Sequence, residues 1–220
     1  MKNRFLFLPT AIPFFLLLIF LPFFLLAMVA LFNISAEAVV RRSMGLSVLE
    51  LFLAYFTILF GSVINIPVYE FKSKANTEPR SVSYMGMKYQ LPVWHGYNSI
   101  IAINLGGSIF SLLAAIYLMI SLPHIPLILT TLIVALGVFG TSHPAKSMGI
   151  IVPMLIPAVI AISASFIAIY IYMGGDAGLY LGRLAFSSGA FGTLIGAYIF
   201  HMNSIRKTGA NMVSIGGIGS

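Results

Sequence analysis

Six long apolar runs occupy most of this chain, with short polar stretches between all but two of them. That pattern constrains the solvent before it constrains the fold. Of the 220 residues, 60% are hydrophobic and 8% are charged, against about 25% charged in an ordinary soluble domain. So few polar residues cannot cover a core of that size in water. A helix needs roughly 20 apolar residues to cross a bilayer, and the runs have that length. The expectation is an all-α transmembrane helical bundle of about six spans, with a small cytoplasmic β-hairpin-like loop, seated as a multi-pass protein in the cell membrane.

The spans are expected at about Phe5 to Phe32, Leu46 to Ile66, Ser99 to Leu122, His124 to Thr141, Gly149 to Met173 and Leu179 to His201, within one integral-membrane domain covering 1–220. The first run is about twice the length of a secretory signal core, so it reads as a retained span, kinked by Pro9, Pro13 and Pro22, because each proline removes a backbone donor. Pro67 stops the second span. The connection Leu122-Pro123-His124-Ile125-Pro126 turns the third and fourth into a helical hairpin. With the N-terminus inside, Lys2, Arg4, Lys72, Lys74, Arg80, Lys88, Lys146, Arg206 and Lys207 are cytoplasmic, whereas Arg41, Arg42 and Arg183 are outside. This bias puts both termini in the cytoplasm.

The one substantial loop, 67–98, alternates apolar and polar residues over Val68 to Lys72 and again over Val82 to Tyr89. That predicts a small β-hairpin against the membrane face, with Tyr84, Tyr89, Trp94 and Tyr97 at the interface. A net charge of +7 fits anionic lipid headgroups. It does not indicate nucleic acid, since no stretch combines clustered Lys and Arg with exposed aromatics. With no cysteine, disulfides, thiolate metal sites and thiol nucleophiles are excluded.

Small residues recur at helical spacing. Ser188, Gly192 and Gly196 form one stripe, with Gly189, Thr193 and Ala197 beside it, and Gly107, Ser111 and Ala115 form another. Such stripes let helix backbones approach closely, and they would serve either packing of the third span on the sixth or a homo-oligomer through the sixth. Ionisable groups inside spans are scarce. Glu50 and Arg183 each lie about one turn into a span near the outer face. They either pair, with Asp176 in the same cluster, or reach the headgroups separately.

The strongest polar signal is Asn65, just before Pro67, with Asn104, just before Gly106-Gly107. Irregular backbone beside an amide is how many carriers build a substrate site; the plainer alternative is an interhelical hydrogen bond worth about 0.6 kcal/mol. His95, His124, His143 and His201 fall at span boundaries with no ligand spacing, so no metal is expected. No catalytic set and no phosphate-cradling motif is present, and no cofactor is implied.

Several segments, taken in order, carry a resemblance: Gly61-Ser62-Val63-Ile64-Asn65-Ile66-Pro67-Val68-Tyr69-Glu70, Asn104-Leu105-Gly106-Gly107, Gly149-Ile150-Ile151-Val152-Pro153, Gly192-Thr193-Leu194-Ile195-Gly196-Ala197 and Gly209-Ala210-Asn211-Met212-Val213-Ser214-Ile215-Gly216-Gly217. Together they resemble an uncharacterised family of archaeal and bacterial integral-membrane proteins, a domain of unknown function. The resemblance implies an aspartate where this chain has Tyr198, and a further acidic residue and apolar span after Ser220. Ile215 to Ser220 therefore reads as the opening of a missing span, as in a truncated chain. Three functions follow in order: a small permease or channel-like transporter with a polar site on the cytoplasmic half, a membrane scaffold, and an intramembrane hydrolase lacking its acid/base set.

Overall fold

The computed structural model describes residues 6–7, 12–31, 36–72, 80–84, 87–91, 98–145, 149–206 and 208–217. Among them, the chain is not the all-α six-span bundle expected from composition. It is a mixed α/β structure in which a four-stranded sheet is set against a layer of apolar helices.

The difference arises inside the apolar runs. The run at 46–66 begins as a helix, α3 (Val48–Gly61), and leaves it for a strand, β2 (Ile64–Lys72). The run at 99–122 does the reverse. It begins as β5 (Asn98–Asn104), passes through a π-helical turn at Leu105–Phe110, and ends as α4 (Ser111–Met119). β-Branched residues dominate Ile64, Ile66 and Val68 and also Ile100, Ile101 and Ile103, and such side chains favour the pleated surface of a sheet. A run split in this way no longer supplies one continuous helix of spanning length.

Before these lie β1 (Leu6–Phe7), α1 (Ile12–Leu31) and the amphipathic α2 (Ala36–Met44). Within the loop, β3 (Arg80–Tyr84) and β4 (Met87–Leu91) pair as a hairpin. The first arm expected for that hairpin, Val68 to Lys72, instead belongs to β2 and pairs with β5. Of the interfacial residues expected there, Tyr84 lies in β3 and Tyr89 in β4, their side chains outside those described, while Trp94 and Tyr97 lie outside the described residues, as do His95 and Lys146.

The C-terminal half contains α5 (His124–Thr141), the short ladder of β6 (His143–Ala145) with β7 (Gly149–Ile151), α6 (Ile156–Met173) and α7 (Leu181–Leu194). A second π-helical turn, Ile195–Ile199, extends α7 and leads through α8 (Met202–Ile205) to β8 (Met212–Ile215). Ile215 thus ends a strand, where a new helical span had been expected.

The main sheet has the order β1-β2-β5-β8. β2 runs antiparallel to β5, and β8 runs parallel to β5. Among the described residues β1 meets β2 at Ile64 and Asn65, and Pro67 lies beyond that described pairing, at an edge position of the kind proline tolerates. A register shift follows between Pro67 and Tyr69.

The core joins the two layers. Val134 and Val138 of α5, Ala161 of α6 and Tyr198 meet Val213 of β8 and Phe71 of β2 in one cluster. A second cluster, Leu122, Leu127, Ile169 and Leu184, ties α5, α6 and α7 together at their other end. Among the described residues one helix, His124–Thr141, is by itself long and apolar enough to cross a membrane. Glu37–Met44 with Val48–Gly61 would be a second only as one span bent by 68°. Leu18–Ala27, Leu105–Met119 and Ile156–Tyr172 are apolar but shorter.

Candidate functional site

The two asparagines singled out in the sequence face each other. Asn65 of β2 and Asn104 of β5 are direct partners in the antiparallel register, and both are fully buried at 0% exposure. Asn104 does not lie two turns into a helix. It is the last residue of a strand and the N-cap of the π-helical turn, where its Oδ1 accepts from the Gly107 backbone N–H at 2.7 Å. Its Nδ2 donates to the Ser62 carbonyl at 2.7 Å and to Asn65 Oδ1 at 3.2 Å. The Ser214 hydroxyl, from β8, donates to the same Asn65 oxygen.

Three strands and the end of α3 are therefore laced by one amide pair. Ser108 continues the lacing by donating to the Ile215 carbonyl at 2.6 Å. A buried polar group without a partner costs roughly 1–3 kcal/mol, and here the partners come from segments far apart in the chain. The result is a seam of uncharged hydrogen-bonding groups inside an apolar structure.

Gly106 and Gly107 make the seam close. A Cβ at Gly106 would collide with the Ile58 carbonyl and the Ser62 nitrogen, and one at Gly107 with the Gly216 carbonyl. Both glycines allow backbone against backbone, so they are built into the seam's wall. The irregular backbone expected there is the π-helical turn itself, a feature frequent at functional sites.

Glu50 and Arg183 are not brought together. The Glu50 carboxylate accepts from the Ser47 backbone N–H at 2.6 Å and the Ser47 hydroxyl at 2.8 Å, while the Ser47 hydroxyl accepts from the Glu50 N–H, completing a capping box at the start of α3. The pattern Ser47-Val48-Leu49-Glu50 carries that signal, and the sequence reading overlooked it. Arg183 instead donates to the Ser121 hydroxyl at 2.8 Å and lies over the Tyr180 ring. The side chain of Asp176 lies outside those described.

The stripe Ser188, Gly192 and Gly196 is buried, and its two glycines lie against α5. A Cβ at Gly192 would press on Val134, and one at Gly196 would strike the Ala135 carbonyl. Ala115, from the other stripe, is buried against α7, where its carbonyl accepts from the Ser187 hydroxyl at 3.2 Å. His201 is buried, with Nδ1 3.2 Å from the Gly196 carbonyl. Among the described residues no three His, Cys, Asp or Glu side chains gather as a metal site would require.

Sequence reasoning had not found Ser62, Ser108 and Ser214. A serine in an apolar run is unremarkable, and no local pattern connects Ser214 with Asn65 across 149 positions.

A family model described as a protein of unknown function, DUF1614, matches residues 59–220. That segment contains every member of the seam, and it covers the stretch whose ordered segments carried the resemblance. No curated protein and no solved structure matches the chain. By the extent of that match, the chain belongs to the DUF1614 family of proteins of unknown function.

Proposed function

We propose that this protein is seated in a lipid bilayer and passes small uncharged polar solutes along the Asn65–Asn104–Ser214 seam, in the manner of a permease. The bilayer seat is supported by helices whose outward faces are their most apolar ones. On α5, Ile125, Ile128, Leu132, Ile133 and Leu136 are all exposed, at the helical spacing that a water-soluble protein turns toward its core. On α6, Val159, Ile162, Phe166, Ile167, Tyr170 and Ile171 are exposed likewise. Continuous apolar surface on this scale marks a lipid or protein contact.

The observation that carries transport is the seam itself. Non-helical backbone inside a bilayer is tolerated only where protein buries it or where it lines a polar path. Here two strands, a π-helical turn and several buried hydroxyl and amide groups meet at one place. All the groups are uncharged, so a matching solute carries hydroxyl or amide groups and no net charge. In this conformation the seam is closed on itself, and passage requires its hydrogen bonds to exchange with those of the solute.

We rank the scaffold reading second, because α5 lies against Gly192 and Gly196 of its stripe. Light scattering from proteoliposomes under gradients of glycerol, urea or sorbitol tests the transport reading. Swelling faster than in protein-free liposomes is expected, and it should fall at least tenfold in Asn65→Ala. Identical swelling with and without protein, for all three solutes, would overturn it.

A further inference from the structure

We propose that the junction of α2, α7 and the α4–α5 connection holds the phosphate of an anionic phospholipid between Arg42 and Arg183, with one acyl chain of that lipid in the cleft between α1, α2 and α3. This inference rests on the bilayer seat argued above and is independent of transport.

Arg183 is held in place but not neutralised. Its guanidinium sits against Gly45, whose φ of 70° ends α2, and a Cβ there would fall 2.5 Å from Nη2. Nη1 is anchored on Ser121, and the Tyr180 ring lies 5.4 Å away. Nε is buried without a hydrogen-bond partner. Among the described residues the one salt bridge is Arg41 with Glu37, and Glu50 is engaged by Ser47. Arg42, which lies beside Gly178, likewise pairs with no described carboxylate. A guanidinium presents a planar fork of donors that fits a phosphate. Two of them at one junction, neither paired with a carboxylate among the described side chains, offer donors for an anion to meet.

The apolar half of the ligand site adjoins the polar half. An open cleft of about 250 Å³ is lined by Leu21 and Leu25 of α1, Val39 and Val40 of α2, and Phe52 of α3. Val39 and Arg42 are three residues apart on α2 and so are neighbours on its surface. A headgroup at Arg42 therefore leads a tail toward Val39 and into the cleft. This complementarity of a cationic rim and an apolar cleft selects a lipid over a free anion.

Native mass spectrometry of the full chain in detergent tests the proposal, with phosphatidylglycerol and phosphatidylcholine of matched chains, and inorganic phosphate, as probes. Phosphatidylglycerol is expected to be retained at least tenfold more tightly than phosphatidylcholine. Arg42→Gln, at an exposed position, should reduce that preference severalfold without lowering the melting temperature, and Arg183→Lys should do so by losing the fork. Equal retention of the two lipids, or a preference unchanged in Arg42→Gln, would sink the idea. So would inorganic phosphate bound as tightly as phosphatidylglycerol, which would indicate a free anion. A chain monodisperse without detergent would overturn the bilayer seat itself, a failure distinct from a bilayer protein indifferent to headgroup charge.

Discussion

The seam and the helical layer bury their interiors by opposite means. In the seam, Asn65, Asn104, Ser62 and Ser214 are hidden together because each satisfies another's hydrogen-bonding group. In the layer of α5, α6 and α7, side chains are small where helices touch, and Gly192 and Gly196 let α7 lie directly on Val134 and Ala135. The layer is held by shape and loses stability when volume is added. The seam is held by partnership and loses it when a partner is removed. The difference teaches that low polarity overall does not make a protein uniformly apolar: one set of buried polar groups gathers where strand and helix meet.

The largest effect should come from the layer. Gly196→Val places a branched side chain against the Ala135 backbone, which cannot step aside. Overpacking of this kind costs about 1–3 kcal/mol and occasionally more, and with backbone as the obstacle the upper end or beyond is expected. Thermal melts in detergent should show an unstable or unfolded variant; a melt matching the parent would mean the helices do not touch there.

Next comes Asn104→Ala, which removes the N-cap of the π-helical turn and strands the Ser62 carbonyl and the Gly107 N–H. A loss of about 2–3 kcal/mol is expected, measured by the same melts. Asn104→Asp keeps the acceptor for Gly107 but sets a buried carboxylate against the Ser62 carbonyl and Asn65 Oδ1, so a loss at least as large as that of Asn104→Ala is expected.

Smaller changes test the margins. Ser47→Ala dismantles the capping box of α3 and should cost about 1 kcal/mol. Ser187→Ala deletes a lone interhelical bond to Ala115, and about 0.6 kcal/mol is expected. If Ser187→Ala proved costlier than Asn104→Ala, the contrast between the two regions would be reversed.

The smallest effect is one of pH, at α2. The Val48 N–H, followed by the Arg41 guanidinium, holds the Glu37 carboxyl below its ordinary value of 4.5. A lowered pKa in the folded state means that the stabilisation is present above that ordinary value and is lost as pH falls through the lowered one. Glu37→Gln should flatten the acid limb of a stability-against-pH curve slightly; an unchanged limb would show that the contact contributes nothing in solution.

Much of the helical layer was legible. His124–Thr141 is one apolar run flanked by Pro123 and Ser142, and the structure keeps it as a single helix. The span expected at Gly149 to Met173 is a helix only from Ile156, where Pro157 suits a helix opening; its start, Gly149–Ile151, is the strand β7. The runs at 46–66 and 99–122 misled, because a short apolar run does not reveal by periodicity whether it is strand or helix. Their β-branched isoleucines and valines were the usable sign. Asn65 and Asn104 stood out as a pair by chemistry alone; their serine partners did not, having no spacing to mark them.

Sequence alone determined the apolar character of the chain, the position of α5 and the two asparagines as its notable polar groups, because composition and local periodicity are properties of neighbouring residues. Tertiary structure decided that the apolar runs divide into strand and helix, that β5 accepts β8 from more than a hundred residues away, and that Glu50 caps a helix while Arg183 stands clear of it. The physical reason is that a buried hydrogen bond depends on where its partner arrives in space, and only the folded chain specifies that arrival.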